Sequence, residues 1–433
     1  MAKKLTITIF FKKNIVKNII FYNLFNKLLR NNVMQTNVYE TAINLLNIFL
    51  EEKITKYSKL RNYDYGQESP HKIVSGLSPF ISHGIINELD ILSKLLNSKN
   101  KCDKFKQEIL WRTYWKGWLE HNKFIWDNYK KNLNFYKKDF VLEKSNCNYN
   151  LAINAETNIE PFDDWVQQLK NTGYLHNHTR MWFASIWIHY LRLPWELGAN
   201  FFLENLIDGD IASNTLSWRW VAGIQTKGKS YLANKENIRK YTFNKFNNYD
   251  LPEIKEPIIL DEEVLSSNFF YDNKLGFNKN NKTCVFMFEK NLNLNFVKRN
   301  KKFISEIILL RFPYKGINKN NILLDFENRA CKDFLYLCAN LNIKAKSFNI
   351  GSSSENLIKY LNEKKIKEVI TNYIPVGYEK DLISKVKKDF DKYSINITEL
   401  LEPFYFKAWI YCNKGFFNFK KHFDKFTEEI PKL

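Results

Sequence analysis

The sequence predicts two folded regions of different class, an all-helical one followed by an α/β one built on a parallel sheet. Three observations predict this. Apolar residues recur at helical spacing from Val38 to about Lys245. Residues 246–282 are rich in Asn, Asp, Glu and Pro and read as a linker. Beyond them, short β-like runs alternate with helical stretches, the pattern that parallel strands and crossover helices need. A chain of 433 residues, 45% of them hydrophobic, has the length for two or three domains and the apolar content for large cores.

Residues 1–33 carry seven Lys or Arg and no acid. They are not a clean signal peptide, because no small-residue cleavage-like site follows. A basic arm and a mis-assigned start ahead of Met34 both remain open. Residues 34–245 form the helical region. Ile43, Leu46, Phe49 and Leu50 make one stripe, Leu92, Leu95 and Leu96 another, and Phe105 and Ile109 resume the pattern. Pro194 suits the first turn of a helix. Within residues 283–433, strands are expected at 285–288, 306–312, 345–350, 368–373 and 395–400, with helices at 328–340, 355–363 and 379–392.

The formal charge of +20 favours an anionic partner such as nucleic acid, or reflects a lysine-heavy proteome. Six cysteines are scattered without a C-x-x-C pair, which supports neither a disulfide framework nor a metal site and fits a reducing, cytoplasmic compartment. No apolar run reaches membrane-spanning length.

Three stretches carry chemistry. In FKQEILWRTYW (105–115), Glu108, Trp111, Arg112 and Trp115 share one helix face. Read plainly, that is an ion pair beside a packed aromatic cluster. In TGYLHNHTRMWFAS (172–185), Asn177 and Met181 are four apart, with Arg180 and Ala184 beside them. His176 and His178 are two apart and point away from each other, so no metal site is expected. LIDGDIASNTLSWRW (206–220) holds Asp208, Asp210, Asn214, Trp218 and Trp220. On a helix, residues two apart diverge by about 200°, so the two indoles face different surroundings. Asp208, Arg180 and Asn214 can meet if their helices pack, and a buried carboxylate needs such a partner. Polar groups on the inward faces of three helices imply a cavity for a large polar ligand.

These three segments resemble the flavin-binding domain of the cryptochrome/photolyase family, and SGLSPFISHGII (75–86) resembles its phosphate-cradling Ser-x-Leu-Ser-Pro loop. The resemblance runs from about Tyr57 to Thr242. It implies FAD as cofactor, held by Tyr57, Ser75, Leu77, Ser78, Phe105, Arg112, Arg180, Asp208 and Asp210, with Asn214 beside flavin N5. By the same resemblance, Glu108 would hydrogen-bond a thymine dimer, Trp111 and Trp220 would wedge it, and Asn177 and Met181 would line the repair face. The family's (6-4) enzymes usually carry His at those last two positions, where proton transfer is needed. Asn177 and Met181 therefore imply the cyclobutane substrate. Trp195 and Trp218 match two members of the family's electron-transfer chain. A third is not placed, since Trp126 does not align and Tyr136 is only one option.

The chain also departs from the family. The W-x-x-G-x-T-G-x-P segment is degraded to LAINAETNIEPFDDW, and His178 stands where arginine is usual. The antenna-bearing α/β domain normally comes first, whereas here the α/β region follows. Residues 284–295, 370–388 and 404–426 echo that domain, which implies a Rossmann-like fold in permuted order, with an unrelated Rossmann-like domain as the alternative. The resemblance thus implies a monomeric, light-driven photolyase acting on cyclobutane pyrimidine dimers in DNA, with FAD and a second antenna chromophore of unknown identity. A flavin-binding blue-light receptor, or a DNA-binding helical protein that has lost FAD, are the other readings.

Overall fold

A computed structural model describes residues 37–98, 102–138, 147–225, 229–251, 254, 269, 271, 276–314, 316–351 and 353–430. The expectations for residues 1–33 and for most of 246–282 lie outside the described residues.

Helices come first along the chain, and their ends are set by short polar residues. Asn37 caps Val38–Ile48 by accepting from the N–H groups of Tyr39 and Glu40. Asn87 and Asp90 form a reciprocal capping box at the start of Glu88–Leu96. Gly173, at φ 66°, ends Glu160–Thr172 in the left-handed conformation that glycine adopts without a Cβ penalty. The long helix Asp103–His121 is followed by Lys123–Tyr136. Asn177–Ser185, Trp195–Asn205 and Ile211–Val221 complete the bundle around the candidate site. Pro194 sits one residue before its helix, in the capping position.

The sheet follows as five strands: β1 (Thr283–Phe288), β2 (Ile304–Arg311), β3 (Ala345–Asn349), β4 (Glu368–Asn372) and β5 (Asn396–Leu400). All the pairings are parallel and the order is β3-β2-β1-β4-β5. Each expected strand is present to within two residues; the central ones read as continuous apolar runs because they are buried on both faces, as in β1, TCVFMF, buried throughout, whereas the edge strand β3, AKSFN, is not. The expected helices are seen as Asn321–Asn340, Glu355–Glu363 and Tyr378–Asp391.

Helices and sheet share a core. One apolar cluster joins Leu46, Phe80 and Leu92 to Val285, Met287 and Leu309 of the sheet and to Phe404 and Trp409 near the C-terminal end. Polar bridges pin the same seam. Glu120 accepts from Tyr373 Oη and from the Val376 N–H, each at 2.8 Å. The Leu292 N–H donates to His83 O at 2.8 Å, and Lys290 Nζ lies 3.1 Å from His83 Nε2.

Gly117 lets the C-terminal segment approach the long helix. A Cβ there would stand 2.5 Å from Trp409 Cδ1 and 2.7 Å from Cys412 Sγ. Gly117→Ala is expected to destabilise the fold by about 1–3 kcal/mol, the usual cost of overpacking a filled core. Chemical denaturation of the two proteins measures it, and equal midpoints would show that the segment yields freely.

Candidate functional site

Two buried ion-pair systems organise the helical region. Arg180, on Asn177–Ser185, donates from Nη2 to Asp208 Oδ2 at 2.9 Å and from Nε to Leu175 O at 3.0 Å. Burial alone would raise the Asp208 carboxyl, but the Arg180 guanidinium, with Ser78 and Arg112 nearby, outweighs it and holds the pKa below the ordinary carboxylate value. Asp210 caps Ile211–Val221 by accepting from the Ser213 N–H at 2.8 Å. Burial opposes its charge too, and Arg112 and Lys116 again outweigh it.

Arg112 stands between two carboxylates, 3.8 Å from Glu88 Oε1 and 3.8 Å from Asp210 Oδ2. Those distances are too long for good hydrogen bonds. Its Nε and Nη2, and Asp208 Oδ1, are buried without a hydrogen-bond partner among the described residues. Buried donors and acceptors in this state favour a polar ligand that satisfies them. A dinucleotide with anionic phosphates and ribityl hydroxyls has the matching chemistry.

Below this cluster lies the 75–78 turn. Ser75 Oγ accepts from the Leu77 N–H at 3.3 Å, and Gly76, at φ 69°, rests against the His71 ring. Lys53 Nζ in turn donates to His71 O at 2.8 Å. Tyr57 and Phe105 pack edge-on to each other, 5.3 Å between centroids, both also against Phe49. They form an apolar wall next to the turn, with the Tyr57 hydroxyl buried.

Asn214 is buried but does not join Arg180 and Asp208. Its Nδ2 donates to Ala199 O at 2.9 Å, because its helix turns that face toward Trp195–Asn205. Asn177 is exposed at the start of its helix and Met181 is half-buried. Glu108 is about one-third exposed and ion-paired, 3.3 Å from Lys104 and 3.7 Å from Arg61. Trp111 stacks on Phe416, with centroids 3.6 Å apart and planes at 9°. Trp220 stacks on Tyr231 at 5.6 Å. The two indoles are thus on separate partners, and no described ring contact joins them. Glu108 and Arg112, the acid and base of residues 105–115, thus each face other partners, Glu108 toward Lys104 and Arg61 and Arg112 toward Glu88 and Asp210, beside the aromatic cluster. Trp218 is buried and its ring lies 6.2 Å from Trp187; Trp195 lies 5.6 Å from Tyr129. His178 packs on Trp182 at 4.3 Å, with its Nδ1 3.0 Å from Asn62 O, and burial lowers its pKa.

A cavity opens where the helices meet the C-terminal ends of β1 and β4. Its lining includes Glu88, Lys116 and Asp210 of the helical region and Lys290, Asn372 and Tyr373 of the α/β region. It lies between β1 and β4, where the sheet's connections run off in opposite directions, a place where open α/β sheets bind ligands. Of the residues predicted from sequence, Asp210 alone lines it. Sequence reasoning missed Glu88, Lys116 and Phe416. Lys116, four residues after Arg112, continues the same helix face and was legible; Glu88 and Phe416 come from distant segments and carried no signal.

Burial lowers the Lys53 ammonium to about 7, far below the ordinary lysine value. Its unfolded form then binds more protons than the folded form between about pH 7 and 10, so folding stability rises through that window. The wild type is expected to gain stability relative to Lys53→Met from pH 7 to 10 in denaturant titrations. A constant difference would mean that Lys53 titrates as if in water.

Comparison with known proteins bears on this helical region. Residues 105–248 match the FAD binding domain of DNA photolyase. The deoxyribodipyrimidine photo-lyase of Vibrio cholerae is 27% identical over 197 residues, 45% of this chain and 41% of that protein. That of Agrobacterium fabrum is 31% identical over 171 residues, 38% of this chain and 35% of that protein. A crystal structure of a bacterial class III photolyase from Agrobacterium tumefaciens aligns with a TM-score of 0.39 and 26% identity, covering 47% of this chain and 42% of that one. The chain spans about two-fifths of the length of the curated relatives it matches. Through its helical region, the chain is similar to members of the photolyase/cryptochrome family.

Proposed function

We propose that this chain binds FAD in its helical region and uses light to split cyclobutane pyrimidine dimers in DNA. The observation that carries the reading is the largely buried set of Arg112, Arg180, Asp208 and Asp210, in which the spare donors of Arg112 and the spare acceptor of Asp208 lie within the segment that matches the FAD binding domain of DNA photolyase. Ser75, Leu77 and Ser78 would hold the phosphates, Tyr57 and Phe105 would wall the site, and Asn214 would sit at the flavin edge. Bound and reduced, FAD would supply on excitation the electron that opens the dimer ring. The chain's own residues bind, orient and exclude water. Glu108, Asn177 and Met181, all at least partly accessible, would meet the dimer, with Trp111 and Trp220 flanking it. Basic side chains would grip the phosphates around a flipped lesion.

In this reading residues 34–245 are the catalytic domain, 246–282 a linker and 283–433 an antenna-like domain in permuted order. A second, antenna chromophore would belong to that last domain by the same resemblance. The parallel order β3-β2-β1-β4-β5 supports a Rossmann-like assignment for it.

One observation favours a second reading, a flavin photoreceptor without repair. Phe416 stacks on one face of Trp111, an indole that this reading places beside the dimer. Blue light on the flavin-reduced protein with a thymine-dimer oligonucleotide separates the readings. Loss of the dimer only in light is expected; a yellow protein that leaves the dimer intact would favour the receptor, and a colourless one would remove both. Arg180→Ala is expected to weaken flavin binding by at least about tenfold, since it leaves Asp208 buried and unpaired. Flavin retention during dialysis measures that, and full retention would place the cofactor elsewhere.

A further inference from the structure

We propose that Tyr63, Tyr65 and Phe243 form a platform on which an unpaired base of single-stranded DNA stacks, beside the helix that carries Asn177 and Met181. The choice of DNA rests on the function proposed above; the stacking itself needs neither flavin nor light.

Two separate segments build the platform. The stretch after Arg61 carries Tyr63 and Tyr65, and the turn after Lys235–Tyr241 carries Phe243. Buried Asp64 locks the segments together. Its N–H donates to Tyr241 O at 2.9 Å, and its Oδ1 accepts from the Gly66 N–H at 2.9 Å. Its Oδ2 accepts from Thr179 Oγ1 at 2.7 Å. Thr179 lies between Asn177 and Met181 on one helix, so the platform is anchored next to the residues proposed to meet the lesion. Arg61, at the start of the first segment, stands 3.7 Å from Glu108, another of them.

Phe243 is the member that packing alone does not explain. Its ring is 5.0 Å from Tyr63, with planes at 28°, and 4.9 Å from Tyr65, yet it is 52% exposed. Its backbone sits at φ 54° and that of Asn244 at φ 61°, in the left-handed region that a bulky side chain rarely adopts. Exposure of the ring and strain in the backbone both oppose folding, and such strain persists where function uses it. The part of the ring that the two tyrosines leave open faces solvent. A nucleobase has the flat π-face that covers it, whatever its sequence.

The charge around the rings selects an anionic partner. Lys72 Nζ is 4.7 Å from the Tyr65 ring, and Lys240 Nζ is 5.1 Å from the Tyr241 ring. Arg61 and Lys245 are already paired, with Glu108 and Asp164. Across residues 61–72 and 239–246, the other exposed charges are Lys72, Arg239 and Lys240, against one acid, Glu68. Cations beside exposed rings hold phosphates while bases stack. A duplex offers the same phosphates but keeps its base faces covered, so the rings add affinity for unpaired bases alone.

Fluorescence anisotropy of a labelled oligothymidylate without dimers, titrated in the dark with the full-length protein, tests the platform. Phe243→Ala is expected to weaken single-strand binding at least about fivefold and to leave duplex binding within about twofold. Phe243→Trp, which keeps an aromatic face, is expected to retain single-strand binding. An oligonucleotide of abasic sugars is expected to bind wild type and Phe243→Ala equally. Tyr65→Leu repeats the test from the other segment if Phe243→Ala misfolds. No single-strand binding by the wild type, unchanged affinity in both variants, or an equal loss for duplex would overturn the proposal. So would wild-type dimers that Phe243→Ala dissociates with oligonucleotide affinity unchanged, since the patch would then serve self-association. A colourless protein that keeps the Phe243 dependence would remove the flavin reading and leave the platform; a flavin-loaded protein without that dependence would remove the platform alone.

Discussion

Charge buried between helices is the constraint around which the helical region is arranged. Removing Arg112, Arg180, Asp208, Asp210 and Glu88 from water is costly, and only their mutual placement offsets the cost. That placement fixes which helix faces meet. Arg180 can reach Asp208 only if Asn177–Ser185 lies over the turn before Ile211–Val221, and Asp210 can pair with Arg112 only while it caps that same helix. Lys116 completes the set by pairing with Glu88 at 2.8 Å, so Glu88 accepts cations from two successive turns of one helix. The set is not fully satisfied within itself, and the shortfall falls on Arg112 and on Asp208 Oδ1. A core optimised for stability alone would close those gaps; a binding site has reason to keep them open.

The sheet depends on the helices as much as the helices on the sheet. Parallel strands need cover on both faces, and part of that cover comes from the first helices of the chain. The buried Glu327 carboxylate accepts from Lys319 at 2.7 Å and stands 3.7 Å from His83 of the helical region. Burial and the neighbouring Lys290 push the His83 imidazole down to about 4, so it bridges the two regions as a neutral ring. The seam therefore combines an apolar core with hydrogen bonds that leave few buried groups unpaired.

The last residues of the described chain return to the long helix. Gly117 makes room for Trp409, the Tyr114 hydroxyl donates to Lys414 O at 2.8 Å, and Phe416 lands on Trp111. One helix thereby carries a buried charged face toward the candidate cofactor site and an aromatic face toward the C-terminal segment.

Local pattern determined the elements and much of the site's composition. The central strands were legible because strands buried on both faces are apolar runs bounded by polar turns, as in TCVFMF, and 355–363 was legible as a helix from its 3.6-residue period. The pairing of Arg180 with Asp208 was legible because a buried carboxylate demands a cation. Tertiary structure alone decided where the long-range partners fell: Asn214 on a backbone carbonyl of the neighbouring helix, Glu88 beneath Arg112, Phe416 over Trp111, Asp381 on Trp126. None of these follows from spacing along one segment. Asp381 and Trp126 are 255 residues apart, and such pairs are set by how whole faces pack, which no single stretch of the sequence encodes.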